Sequence, residues 1–237
     1  MRTVEYLDRR FYPGIQSHWD DRAFREFVLQ RLSPDFVMLD LGAGAGILPA
    51  MDFRGHARRI CGVDPEPRVT ENPYLHEGKV GVGEKIPYAN ETFDVVIADN
   101  VLEHLAEPEA VFAEVRRVLK PNGRFLFKTP NWHHYMPLAA WATPHWFHKW
   151  FNQLRGRASI DTFPTVYRAN TPRTLTRIGR KIGLQPGTFM LLESRPEYLR
   201  VSAPTYLIGI LYEKMVNNFP LLGRFRIVLI GELIKNP

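Results

Sequence analysis

The sequence predicts an α/β chain built on a doubly wound, mostly parallel sheet. Three observations carry this. "FVMLDLG" is a continuous apolar run, as expected of a strand buried on both faces. "GAGAG" follows at once, the mark of a tight turn after such a strand. From there to "RFLFKTP", strand-like runs alternate with loop and helix patterns, and such alternation forms a right-handed parallel sheet.

The elements follow in order. Trp19 to Leu32 has helical apolar spacing through Phe24, Phe27, Val28 and Leu32, and ends before Ser33-Pro34. "FVMLDLG" is the first strand, and "GAGAGILPAMDF" reads as a turn entering a helix. "ARRICGVD", "KVGV" and "FDVVIADN" are the second to fourth strands. "EPEAVFAEVRRVLKPNG" is an amphipathic helix with Ala110, Val111, Val115, Val118 and Leu119 on its apolar side, closed by Pro121 and Gly123. "RFLFKTP" is the fifth strand. The pattern breaks over 131–170, an aromatic stretch that reads as an insertion. Thr171 and Pro172 then open the helix "TPRTLTRIGRKIGL". "GTFMLLES", the apolar helix "APTYLIGILYEKMVNNF" and the strand "FRIVLIGELIK" complete the chain.

Composition narrows the function classes. The 237 residues are 45% apolar and 24% charged, enough for one domain with a sizeable core. The single cysteine, Cys61, excludes a disulfide framework and suits a reducing cytoplasm. The start lacks the apolar core of a signal peptide, and no uncharged apolar run reaches the ~18 residues of a spanning helix. A net charge of +6 permits acidic partners without naming one.

The glycines of "LDLGAGAG" admit a ligand closer than any Cβ would allow. Asp40 lies inside the strand end, two residues before the first of them. Asp64 ends the next strand, eighteen residues after Gly46, where an acid can accept both hydroxyls of a ribose. A nicotinamide dehydrogenase shares that acid, but its G-x-G-x-x-G pattern would need a small residue where Ile47 or Pro49 stands. Asp40 also suits a cationic ligand better than a pyrophosphate.

At "LDLGAGAG", "GVD", "GEKIPYANETFDVV", "NVLEHL" and "EVRRVLKPNGRF", over Asp35 to Pro130, the sequence resembles the class I S-adenosylmethionine-dependent methyltransferases. The likeness is to the small-molecule group that includes ubiquinone-biosynthesis enzymes. It implies a Rossmann-like, seven-stranded sheet with the last strand antiparallel and an aromatic lid after strand five. It also implies one domain: a cofactor-covering segment at 1–32, the cofactor-binding core at 33–130, an acceptor-site insertion at 131–170 and the second half of the sheet at 171–237. Asp40, Gly42, Ala43, Gly44 and Gly46 would hold the methionine end of S-adenosyl-L-methionine, Asp64 its ribose, and Pro65 would lie near the adenine. Gly83 would meet an adenine ring nitrogen through its backbone. Many relatives carry Asp where Val82 stands, so Glu84 or a backbone carbonyl takes the adenine amino group. Asn100 would lie beside the methyl group. Tyr12, His18 or Trp19 of the leading segment would close the site.

His104 is the candidate general base with Glu103 orienting it; both could instead cap the helix near Pro108. No nucleic-acid acceptor is expected. The residues after the fourth strand, Asp99-Asn100-Val101-Leu102, lack the paired prolines of amine methylation, and no RNA-binding module is visible. An apolar small-molecule or lipid-linked acceptor, methylated on oxygen, is the expected substrate, with S-adenosyl-L-homocysteine as product. The alternatives are a dehydrogenase and a methyltransferase-like protein that binds without turnover.

Residues 131–151 hold four of the five tryptophans and four of the eight histidines. His133, His134, His145 and His148 match no recognised metal-ligand spacing, and no metal is expected. Aromatic bodies with polar tips suit a surface half wet and half apolar. The stretch is therefore expected to be an acceptor wall, with His133, His134, Tyr135 and Trp146 in it, or a peripheral membrane contact. Tyr167 and Arg168 join the acceptor set; Arg168 would hold a substrate carboxylate or phosphate, or brace the insertion.

Overall fold

The structure is a computed structural model and describes residues 2–15, 18–142 and 164–237. Seven strands form one sheet: β1 Val37–Leu41, β2 Arg59–Asp64, β3 Glu77–Val80, β4 Phe93–Asp99, β5 Leu119–Pro130, β6 Leu184–Leu192 and β7 Val228–Lys235. Their order is β3-β2-β1-β4-β5-β7-β6. Strands β1 to β5 pair in parallel, and β7 is antiparallel. All five residues of β1 are buried, as its apolar run requires. In register, Asp40 lies opposite Gly62 on β2 and Ile97 on β4.

The helices are α1 Arg2–Phe11, α2 Trp19–Leu29, α3 Pro108–Val118, α4 Tyr135–Ala142, α5 Pro172–Ile182 and α6 Ala203–Asn218. The Thr171 side chain caps α5, and Gly183 ends it in the left-handed region at φ 82°. Three expectations need correction. The segment after the glycine turn forms only a three-residue 3-10 turn, Pro49–Met51. Pro49 supplies no amide, and Asp52 turns its carboxylate onto the Arg54 amide and guanidinium, which ends the turn. The leading segment opens with a helix, α1, where none was expected. The third strand runs Glu77–Val80, two residues earlier than "KVGV" suggested, because Cys61 to Asp64 of β2 pair with those residues.

The chain forms two compact units. The first comprises Met1–Trp19, Pro130–Pro164 and Leu191–Leu229; the second comprises Asp20–Thr129, Thr165–Met190 and Ile230–Pro237. The core of the second unit is aliphatic and aromatic, with Met38, Leu39, Ile97, Phe112, Phe125 and Phe127 fully buried. In the first unit Leu7, Tyr12, Tyr206 and Ile210 form a smaller cluster.

Candidate functional site

The strand ends of β1, β2 and β4 bring together most of the predicted cofactor residues. Gly42, Gly44 and Gly46 all have positive φ, at 82°, 50° and 69°. A Cβ on Gly42 would come within 2.4 Å of Val101, and one on Gly46 within 2.2 Å of Asn72. A Cβ on Gly44 would meet nothing within 4 Å. The tip of the turn is thus open, while its two shoulders are tightly seated. Asp64 holds the turn: its carboxylate accepts from the Gly44 amide at 2.9 Å and the Glu66 amide at 2.8 Å. Asn72, which sequence reasoning missed, donates to the carbonyls of Ala43 and Gly44 at 2.9 and 3.2 Å.

The electrostatics of this corner are unusual for a chain of net charge +6. Asp40 is buried, and no described residue donates a hydrogen bond to its carboxyl. Burial, then the nearby Asp99 and Asp64, push that carboxyl up to about 8. Burial also pushes Asp99 up to about 6, and Lys128 only partly opposes it. Lys128 Nζ stands 2.9 Å from Asp99 Oδ1, yet neither Asp99 oxygen has an aligned donor.

Lys128 is itself fully buried, directly after the buried apolar run Phe125-Leu126-Phe127. It also meets Asp20 at 3.1 Å and Asp21, both at the start of α2. Burial alone would lower its pKa, but Asp99, Asp20 and Asp21 hold it above its ordinary value. One buried cation thus serves three aspartates, and Asp40 remains uncompensated beside them. Such a corner favours a cation and opposes a pyrophosphate. This cluster was also missed; the one signal for it was a lysine inside "FLFKTP".

Asn100 follows with φ 53° and donates its amide to the Lys128 carbonyl at 2.9 Å. A left-handed asparagine at a strand end is a strained, over-determined position of the kind that clusters at working sites. Pro65 and Glu84 are exposed. A Cβ on Gly83 would touch Val111 at 3.0 Å, so a side chain there would crowd α3.

Glu103 and His104 lie in a 3-10 turn, Leu102–His104, that precedes α3 and does not cap it. His104 is partly exposed. Glu103 is buried and accepts from the Thr129 hydroxyl at 2.9 Å, so its carboxylate is engaged with β5 and does not serve as the orienter of His104. Asn170 donates to the same hydroxyl at 2.6 Å. Burial pushes Glu103 up to about 7, partly offset by the hydrogen bonds it accepts. The Glu103 carbonyl also accepts from the amides of Val166 and Tyr167, and Tyr167 sits at φ 52°. Arg168 donates to the Ala106 carbonyl at 2.7 Å and is largely exposed, which is the bracing arrangement.

The remaining predicted residues belong to the first unit. Tyr12 is buried against Tyr206 and donates to Glu213 at 3.1 Å, so it is committed to the core of that unit. Trp19 is half-buried at the start of α2. His134 is buried between the rings of Tyr135 and Tyr212, with Nε2 3.4 Å from Glu193 and Nδ1 accepting from the Met136 amide. It is thereby a core histidine. His133 is exposed. Trp146, His145 and His148 lie outside the described residues. Among the described residues no cluster could hold a metal ion.

Residues 39–127 match a family model described as a methyltransferase domain. The chain is 31% identical over 157 residues to a ubiquinone biosynthesis O-methyltransferase of Cereibacter sphaeroides, covering 63% of this chain and 60% of that protein. It is 32% identical over 143 residues to an uncharacterized 37.1 kDa protein in transposon TN4556 of Streptomyces fradiae, covering 54% of this chain and 39% of that protein. The chain thus spans less than two thirds of these curated relatives. Among solved structures, a methyltransferase in complex with the Trm112 methyltransferase activator of Haloferax volcanii matches with TM-score 0.59 at 18% identity, over 99% of this chain and 94% of that one. The geranyl diphosphate C-methyltransferase of Streptomyces coelicolor A3(2), solved with Mg²⁺, geranyl diphosphate and S-adenosyl-L-homocysteine, matches with TM-score 0.57 at 16% identity, over 90% of this chain and 78% of that one. Dinucleotide-binding sheets run 3-2-1-4-5-6 in parallel; here an antiparallel β7 stands between β5 and β6, and this sheet together with the methyltransferase domain matched over residues 39–127 supports a class I S-adenosylmethionine-dependent methyltransferase.

Proposed function

We propose that this protein transfers a methyl group from S-adenosyl-L-methionine to an oxygen of an apolar small-molecule or lipid-linked acceptor, releasing S-adenosyl-L-homocysteine. The observation that carries the cofactor reading is the surplus of buried carboxylates beside the open tip at Gly44. Asp40 and the turn from Gly42 to Gly46 would hold the positively charged methionine end. Asp64 would take the ribose: each of its oxygens already accepts one amide and keeps a second lone pair. When bound, the cofactor supplies an electrophilic methyl group on a sulfonium.

The chain's own work is alignment, exclusion of water and proton removal. Alignment alone can account for much of the rate. Asn100, held by the Lys128 carbonyl, gives the site a rigid edge. His104 is our candidate base for an acceptor hydroxyl, worth roughly 10² to 10⁴-fold. The oxygen acceptor is supported by the Cereibacter relatives, whose names give them O-methyl transfer in ubiquinone biosynthesis. We place the enzyme in the cytoplasm, with peripheral membrane access to such acceptors.

Two measurements test this. Calorimetry should show S-adenosyl-L-homocysteine binding and no comparable binding of NAD; the reverse order would return the dehydrogenase reading. Transfer of labelled methyl groups to phenolic and quinol lipids should be detectable. Cofactor binding with no transfer to any lipid or small-metabolite extract would favour the non-catalytic reading.

A further inference from the structure

Helix α6, Ala203–Asn218, is apolar on both of its sides. One side is buried within the first unit through Tyr206, Gly209, Ile210 and Val216, with Glu213 among them. The other carries Leu207, Ile208, Leu211 and Met215, followed by Phe219 at the cap, and all five are exposed. At 100° per residue these five fall within one stripe roughly 120° wide. Leu221 extends it and is 87% exposed; Ile208 and Leu211 are each 62% exposed. A surface helix ordinarily turns charged residues outward. Six exposed large apolar side chains within Leu207–Leu221 mark a surface that something covers.

Within the segment Val201–Ile227 the outward charges are cationic. From Val201 to Ile227 the single acid is Glu213, and it faces inward, accepting from Tyr12 and Asn217. Lys214 and Arg224 are exposed. Lys214 Nζ lies 3.4 Å from Glu213 yet its side chain remains half exposed. The outward face is therefore apolar with a cationic margin. The helix has 16 residues, or about 24 Å, and no described helix is long and apolar enough to cross a membrane.

We propose that this face of α6, with Leu221 beyond it, docks on an anionic lipid surface. The stripe would enter the boundary between headgroups and acyl chains, and Lys214 and Arg224 would meet the headgroups. A second copy fits less well, since a two-fold pairing on this patch would set Lys214 and Arg224 against their own copies with no outward acid on this segment to meet them. The proposal stands apart from the methyl-transfer reading, so its failure would leave cofactor binding untouched.

The test is flotation of the full chain with vesicles of phosphatidylcholine alone and of phosphatidylcholine with phosphatidylglycerol. Binding is expected to the anionic vesicles and to weaken in salt, because headgroup attraction is screened over about 10 Å at 0.1 M. Ile208→Ser with Leu211→Glu should lower partitioning at least ~10-fold while the unfolding temperature stays within a few degrees. Lys214→Glu with Arg224→Glu should abolish the preference for anionic vesicles, and it decides the matter if the first variant fails to fold. Absence of wild-type flotation, or equal flotation of both variants, would overturn the proposal. So would a dimer in light scattering, or a co-purifying protein partner, that Leu211→Glu releases.

Discussion

Two buried carboxylates on strands of the same sheet live under opposite conditions. Glu232 in β7 accepts from Arg31 at 2.9 Å, from Arg124 at 2.7 Å and from the Thr188 amide at 3.2 Å. Burial would raise its pKa, but those partners win and hold it down at about 2. Asp40 in β1 has no such partners among the described residues, and burial beside Asp99 and Asp64 lifts it to about 8. The first acid stabilises the fold. The second destabilises it and is what a bound cation would relieve. Buried charge alone therefore does not mark a site; buried charge that the protein leaves unpaired does.

Five substitutions can break or sharpen this contrast. Lys128→Met should have the largest effect, since it leaves the buried carboxyls of Asp21 and Asp99, and the partly exposed Asp20, without their cation. A loss of about 3–5 kcal/mol is expected, read as a fall of on the order of 10 °C in thermal unfolding. An unchanged melting temperature would mean the network is inert. Glu232→Gln should cost about 1–3 kcal/mol at neutral pH, with no effect on cofactor affinity. Its folded pKa is depressed, so its contribution is present above pH 4.5 and lost as pH falls through about 2. Denaturant unfolding at pH 7 and at pH 2 should therefore show the gap between variant and wild type closing.

Asp40→Asn should separate stability from function. Cofactor affinity should drop roughly tenfold, and more for the sulfonium than for the neutral S-adenosyl-L-homocysteine, while the ligand-free protein gains a few degrees at pH 8. Here the folded pKa is raised: the favourable contribution is present below pH 3.8 and lost as pH rises through about 8. The gain should accordingly shrink on acidification, and a variant less stable than wild type at pH 8 would contradict the assignment. Asp64→Ala should weaken nucleoside binding about tenfold, or ~1.4 kcal/mol, in calorimetry. Arg168→Ala should change stability by less than ~0.5 kcal/mol, because its guanidinium is largely exposed over Ala106. A large loss of turnover with intact stability would restore the substrate-binding role expected from the sequence.

How much was legible follows physical range. The glycine turn, Asp40 and Asp64 were readable because the turn and the two strand ends lie close in sequence and each residue type has a local reason. The helix predicted after "GAGAG" was not, since Pro49 and Asp52 broke a pattern that apolar spacing alone supports. His134 had the look of a site residue by its aromatic neighbours. Tyr212 and Glu193, far along the chain, make it a core residue instead.

By itself the sequence determined the doubly wound, mostly parallel sheet, the buried first strand, the glycine turn and the two acids that frame it. These are consequences of periodicity and backbone freedom. Only the tertiary structure decided which charges are compensated. Lys128 finds Asp21 across 107 residues and Arg31 finds Glu232 across 201. The pairing of charges depends on which side chains share a low-dielectric interior, and no local pattern encodes that.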